Sequence, residues 1–240
     1  GESPEEDIVK PEETNEEELL EFTSFFQSNK NETKITGYLI SQLVTNSSLR
    51  YIRKNFSISN FSNEIFNDLP DIAKDQYMRK SLIDEIHFTN QIEGVISTRK
   101  DINDLITEIE RKTTTCNRFE GIVNKYLMLT DEKLQFLSSK DIRKLYDEML
   151  YNEIQSEDKN NLPDGEIFRK DLVHVYKSGE KVVHNGLMPE SKIIDYMNKA
   201  LNILNSDSID VLIRISIFHY FLGYIHPFYD GNGRINRFIS

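Results

Sequence analysis

Apolar residues recur at helical intervals through most of this chain. Leu19, Leu20, Phe22, Phe25 and Phe26, then Tyr38, Leu39 and Leu43, predict N-terminal helices from Glu16 onward. A longer helix is predicted over residues 72 to 93, with Leu82, Ile83, Ile86 and Ile92 as its apolar stripe. Ser97 or Thr98 then reads as an N-cap, with Asp101 three residues beyond Thr98, and Ser138 with Asp141 repeats the pattern. These signals predict helices over about 99 to 111, 117 to 130 and 139 to 150. Helical character breaks between Asn160 and Met188, where Leu172, Val173, Val175 and Tyr176 face Val182 and Val183 across Lys177-Ser178-Gly179-Glu180. That stretch reads as a β-hairpin turning at Ser-Gly. Pro189 and Glu190 open a helix to about Leu204. Ser208 then caps one carrying Ile209, Val211, Leu212, Ile213, Ile215, Ile217, Phe218, Phe221 and Leu222, apolar on every side and therefore read as a buried central helix ending near Gly223.

The fold class that follows is all-α with one small β-hairpin. Residues 1 to 15 are acidic and poor in large apolar side chains, so they read as a flexible arm. No internal repeat and no low-complexity tract lies beyond that arm. At 240 residues the chain is long enough for one large domain or two small ones. Its net charge of −11 argues against nonspecific nucleic-acid binding, which needs a basic surface. Cys116, the one cysteine, excludes an internal disulfide framework and fits a reducing, cytoplasmic setting. No run of about 18 apolar residues offers a membrane span, and the acidic start has no signal-peptide pattern.

Chemistry concentrates in His226-Pro227-Phe228-Tyr229-Asp230-Gly231-Asn232-Gly233-Arg234-Ile235-Asn236-Arg237. Glycines on both sides of Asn232 let the backbone turn with positive φ, so successive N–H groups can converge on an anion. A helix starting near Asn232 would add its free N–H groups and dipole. Arg234 and Arg237, one helical turn apart, can reach a common polyanion. Asp230 stands where a carboxylate can hold Mg2+ against phosphates. His226 has an ordinary pKa of about 6.5, which suits a general base. Taken singly, each residue has an ordinary explanation as a turn former, a core residue or a solvated charge; the combined spacing does not. His219, seven residues before His226, invites a metal reading with Asp230, but no third or fourth spaced ligand completes a zinc set.

This string resembles the signature of the Fic (Fido) family, His-x-Phe-x-Asp/Glu-Gly-Asn-Gly-Arg-x-x-Arg, with every fixed position met. The resemblance implies a protein adenylyltransferase that moves AMP from Mg·ATP onto a Ser, Thr or Tyr hydroxyl of a target protein. It implies His226 as the base, Asp230 as the magnesium ligand, and Gly231, Asn232, Gly233 and Arg234 around the α- and β-phosphates. Arg237 would take the γ-phosphate, and Phe228 would anchor the loop in the core. Upstream, Thr89-Asn90-Gln91-Ile92-Glu93-Gly94 resembles the family's inhibitory motif, Ser/Thr-x-x-x-Glu-Gly/Asn. Its physics can be read separately: Thr89 and Glu93 are four apart and share a helical face, and Gly94 reads as the C′ residue that ends the helix. The resemblance makes Arg237 the cation that Glu93 meets, in the class whose inhibitory helix precedes the core.

The same resemblance makes the hairpin a flap whose edge, Lys181, Val182, Val183 and His184, docks an extended target segment. Gly165-Glu166-Ile167-Phe168-Arg169 resembles a Gly-x-x-aromatic-Arg segment of the family, with no catalytic role given to Arg169. The expected organisation is an arm over 1–15, an N-terminal helical region over 16–95 and a catalytic core over 96–240. The chain ends at Ser240, barely one turn into the helix expected after the glycines, so that core is expected to continue beyond it. ATP and a target protein are the implied partners, with self-modification and homo-oligomers left open. Removal of AMP from a modified protein, phosphate or phosphocholine transfer, and a non-catalytic nucleotide-sensing module remain as alternative activities.

Overall fold

The computed structural model describes residues 68–113, 117–129, 134–177, 181–209 and 211–240. Gly1–Ser62 and Asn63–Ser240 are separate units, and all the described residues lie in the second. The arm over 1–15 and the helices predicted from Glu16 onward lie outside the described residues, as does the Ser178-Gly179 turn.

Seven α-helices and one hairpin are present among the described residues: α1 Asp71–Ile92, α2 Arg99–Glu110, α3 Glu120–Met128, α4 Ser139–Asp158, β1 His174–Lys177, β2 Lys181–Asn185, α5 Glu190–Leu204, α6 Val211–Ile225 and α7 Asn232–Ile239. The class is therefore the predicted one, helical with a small two-stranded antiparallel sheet. None of the described helices is long and apolar enough to cross a membrane.

Local chemistry explains where most helices start and stop. Pro70 precedes α1, and the N–H groups of Ala73 and Lys74 reach back to its carbonyl at 2.8 and 3.0 Å. At the other end Gly94 adopts φ 76°, the Gly94 N–H meets the Gln91 carbonyl, and the Val95 N–H meets that of Asn90. Those two bonds form a Schellman motif, which a left-handed glycine makes cheap. Reciprocal capping boxes open α2, through Thr98 and Asp101, and α4, through Ser138 and Asp141. Helix α4 runs eight residues past the predicted end near Leu150, because Ile154 continues its buried stripe of Ile142, Leu145, Tyr146, Met149 and Leu150.

Packing then assembles the frame. Helix α6 lies against α5 and α7, α3 against α4, and α1 against α2, α3 and α7. Arg79 cross-links α1 to α2 through Asn103, Thr107 and Glu110, at 2.7 to 3.0 Å. The α3–α4 contact is close enough that a Cβ on Gly121 would lie 2.6 Å from the Glu148 carbonyl oxygen and 2.7 Å from that of Met149.

Two expectations about buried faces need correction. Helix α6 is not buried all round: Ile217, Phe218, Phe221, Leu222 and Ile225 are inside, but Val211, Leu212 and Tyr220 are exposed, Leu212 by 61%. Apolar residues on every side specify no face, so packing against α5 and α7 chose one. Ile92 is likewise exposed, and Ile86, Thr89 and Asn90 are the buried residues of α1. The hairpin pairs His174 with Asn185, Val175 with His184, Tyr176 with Val182 and Lys177 with Lys181, so Val183 falls at an irregularity in the ladder.

The tight α3–α4 approach carries a test. Gly121→Ala is expected to destabilise the protein by about 1–3 kcal/mol, since the added methyl meets backbone oxygen that cannot rotate away. Urea unfolding measures it, and an unchanged midpoint would show that the helices part freely.

Candidate active site

The site is the short loop between α6 and α7, and its geometry begins with a histidine in an unusual backbone state. His226 has φ 51°, in the left-handed region that non-glycine residues seldom occupy. Its N–H still completes α6 by donating to the Leu222 carbonyl at 2.9 Å, and the chain then turns sharply into Pro227. Phe228 is fully buried, stacked on Tyr146 at 4.1 Å between ring centres and edge-on to Phe168 at 5.4 Å. Tyr229 accepts the Asp171 N–H at 3.0 Å and donates to Asp164 at 2.9 Å. The loop is thus pinned to α4 and to the segment before the hairpin.

Both glycines are needed, for different reasons. Gly231 has φ 82°, and a Cβ there would come within 2.6 Å of Leu150 Cδ1. Gly233 lies inside α7 without positive φ, so the expected double-glycine turn is a single one. What Gly233 supplies is space: a Cβ on it would sit 2.0 Å from Glu93 Oε1. Asn232 turns its side chain inward, where Oδ1 accepts the Phe228 N–H at 2.9 Å and Nδ2 donates to the Phe228 carbonyl at 2.8 Å. Its amide therefore holds the loop, and the first-turn N–H groups of α7 are the groups a helix terminus can offer to an anion.

A carboxylate already stands there. Glu93, at the end of α1, lies against Gly233 and accepts from Arg237 Nη2 at 2.7 Å. Arg237 Nε donates to the Thr89 hydroxyl at 2.8 Å and Nη2 to the Thr89 carbonyl at 3.2 Å. Thr89, Glu93 and Arg237 are brought together across 144 to 148 residues of chain. Glu93 stands at the C-terminus of its own helix, where negative charge is disfavoured, and is offset by the first turn of α7 at Gly233 and by the guanidinium of Arg237 from the last turn of that helix.

Arg234 is placed differently from Arg237. Its side chain is wholly buried and bonded to Glu153 of α4 at 2.5 Å, and Asp230 lies 3.7 Å from its Nη2. Arg234 Nε and Nη2 and Glu153 Oε2 have no hydrogen-bond partner among the described residues. Glu153 carried no role in the sequence reading. Its one signal is position, since it falls among Leu150, Ile154 and Met149 on the apolar stripe of α4.

Burial lowers the pKa of His226 below its ordinary 6.5; a hydrogen bond with the Gly223 backbone and the charge of Glu93 work against this, while Arg169 and His184 add to it. The imidazole is accordingly neutral at pH 7, the state a base requires. His184, from β2, is held by the Tyr224 carbonyl at 2.6 Å and lies over the Tyr224 ring. Val182 and Val183 are exposed on the same strand, and Lys181 pairs with Lys177 at its start.

Among the described residues of the loop, Asp230 is the carboxylate whose chemistry suits a magnesium ion. The Asp230 carboxylate is 36% exposed, and its Oδ1 accepts the Gly231 N–H. No group of three His, Cys, Asp or Glu side chains is gathered among the described residues. His219 Nδ1 lies 2.9 Å from Ser240 Oγ, which gives it a partner in place of a metal. Magnesium is commonly held by one or two carboxylates with substrate phosphates and water completing the shell, so a single Asp suits it where zinc would be left short.

The loop thus carries a buried histidine at the end of α6 and leads into the N-terminus of α7, with His184 of the hairpin beside it. Residues 136–240 match the Fic/DOC family. The fold is similar to the crystal structure of a Fic family protein from Desulfovibrio desulfuricans G20, with 20% identity and a TM-score of 0.53 over 83% of this chain and 55% of that one. The chain thus spans just over half the length of that relative. No curated protein matches it.

Removing the carboxylate under the loop tests the buried pair. Glu153→Ala is expected to cost about 3–5 kcal/mol, because Arg234 loses its buried hydrogen-bonded partner and keeps only the partly exposed Asp230, 3.7 Å away. Urea unfolding reads this directly, and stability equal to the parent's would mean that the guanidinium finds another partner.

Proposed function

We propose that this protein is a Fic-type transferase that moves AMP from Mg·ATP onto a hydroxyl of a target protein, and that Glu93 restrains it. The observation that carries the reading is the Glu93 carboxylate seated on Arg237 and Gly233 at the start of α7. An anion held there by the protein itself competes for the position with any phosphate that the helix terminus would attract.

In the proposed reaction the triphosphate lies along the first turn of α7, with its terminal phosphate on Arg237 once Glu93 has withdrawn. Asp230 would hold the magnesium ion, whose chemistry is to neutralise phosphate charge. A Ser, Thr or Tyr hydroxyl of the target, on a segment paired with the Lys181–His184 edge, approaches His226. The imidazole takes the hydroxyl proton as the oxygen bonds to the α-phosphorus; the bond to the bridging oxygen breaks and pyrophosphate leaves. Positioning and charge stabilisation account for most of the acceleration in such transfers.

The reverse reaction has one observation in its favour: the charge of Glu93 is felt by the His226 imidazole. In that reading the carboxylate orients a water against an AMP-modified side chain.

Two measurements separate the readings. With α-labelled ATP, Glu93→Gly is expected to raise label transfer to protein about 5- to 150-fold, the usual span of a coupling free energy. Loss of AMP removal in that variant supports the reverse activity, and no turnover in either protein supports a nucleotide-sensing module. In the Glu93→Gly background, His226→Ala should lower transfer about 10²- to 10⁴-fold while nucleotide still binds. Since the neutral imidazole is the active form and burial lowers its pKa, the acid limb of the kcat profile should fall below pH 6.5. A limb above that value contradicts His226 as the base.

A further inference from the structure

Arg169 is a buried charge that neither the binding loop nor the ion pairs explain. Its side chain has no exposed surface, and no carboxylate pairs with it among the described residues. All three of its side-chain hydrogen bonds end on backbone carbonyls: Nε on His226 at 2.9 Å, Nη1 on Asp171 at 2.5 Å and Nη2 on Leu187 at 3.0 Å. Its own N–H donates to the Pro227 carbonyl at 3.3 Å. Burying a guanidinium without a counter-charge is costly, and here burial lowers its pKa.

The three carbonyls belong to three segments with different tasks. Leu187 follows β2 and leads out of the hairpin, and its N–H donates to the Ile225 carbonyl at 3.1 Å. Asp171 lies in the segment that enters the hairpin. His226 is the left-handed residue at the end of α6. A planar fork with fixed donor directions can hold three such acceptors in one arrangement, which a lysine's single ammonium cannot. Gly186 is fitted to it, since a Cβ there would lie 2.2 Å from Arg169 Nη2 and 3.3 Å from His226 Cβ.

We infer that Arg169 is a positioning residue that ties the backbone of His226 to both ends of the hairpin. A hydroxyl on a segment paired with β2 is then delivered to the imidazole at one distance. The inference rests on the transferase reading for its kinetic consequence but not for its structural one. Its failure would not be mistaken for failure of that reading, because one readout needs no turnover.

The kinetic arm compares Arg169→Lys and Arg169→Met with their parent, all in the Glu93→Gly background. Expected is a kcat for AMP transfer lower by about 100-fold, the loss a misplacement of about 1 Å brings, with the KM for ATP within about 2-fold. Neither variant should be rescued by more ATP. Gly186→Ala should harm the parent more than it harms Arg169→Met, where its nearest obstacle is gone and only the 3.3 Å approach to His226 Cβ remains. Turnover equal to the parent's, or additive losses, would overturn the inference.

The second arm follows the His226 imidazole by NMR in the parent and in Arg169→Met. The groups facing that ring are Arg169, His184, Glu93 and the Gly223 backbone. Loss of the guanidinium is expected to raise the His226 titration midpoint and shift its resonances. A ring that titrates identically in both proteins overturns the inference even if no AMP transfer is found. If transfer fails in every protein but the ring responds, the function reading falls and the tie between Arg169 and His226 stands.

Discussion

The contact on which the site depends is the one between Glu93 and the start of α7. At 2.7 Å from Arg237, and in the space that Gly233 leaves open, the carboxylate joins the end of α1 to the helix that carries the arginines. Three features converge to make that contact available. Gly94 stops α1 by turning left-handed, so Glu93 is the last residue of a rigid element. Gly231 turns left-handed to start α7, so its first turn holds Gly233, the glycine against which Glu93 lies. Thr89 holds the same guanidinium from one turn further back along α1. A carboxylate at the wrong end of its own helix is thereby placed at the right end of another.

Beneath that contact lies a second layer of buried polar groups that give the loop its shape. Arg234 with Glu153, Arg169 with three carbonyls, and Asn232 with both backbone groups of Phe228 each fix one segment of the turn. Glu190 plays the same part next door: its carboxylate accepts the N–H groups of Glu166, Ile167 and Phe168, at 2.8 to 3.1 Å. Burial works against the charged form of Glu190, but those three donors prevail and its pKa is lowered. A carboxylate so stabilised strengthens the fold above the ordinary glutamate pKa, and that contribution is lost as pH falls through its lowered value. Gly165 is required there as well, since a Cβ would stand 2.4 Å from the Glu190 carboxylate. These groups order the site through geometry; the aromatic contacts of Phe228 with Tyr146 and Phe168 supply the apolar anchor.

Much of this was legible from residues taken in order. The capping boxes at Thr98 and Ser138, the stop at Gly94, the hairpin strands and the turn at Gly231 are local events, decided by neighbours within a few positions. The exposed faces of α1 and α6 were not legible. A helix apolar all round, as α6 is, contains no information about which side will be covered. Glu153 and Arg169 were also out of reach: an acid on an apolar stripe and an arginine after an aromatic residue acquire meaning only through partners 81 and 57 residues away.

By itself the amino-acid order determined the helical class, the places where capped elements begin and where Gly94 stops α1, and the residue types gathered between His226 and Arg237. Those depend on backbone preferences and hydrogen bonds that close within a turn or two. The pairing of Glu93 with Arg237 was expected only through the family resemblance; the tertiary structure decided that Glu93 fills the space at Gly233, that Asn232 serves the loop, and that Arg234 lies buried on Glu153. The Glu93–Arg237 and Arg234–Glu153 pairings depend on distances set by helix packing across 144 and 81 residues of chain, and no local preference encodes a distance of that kind.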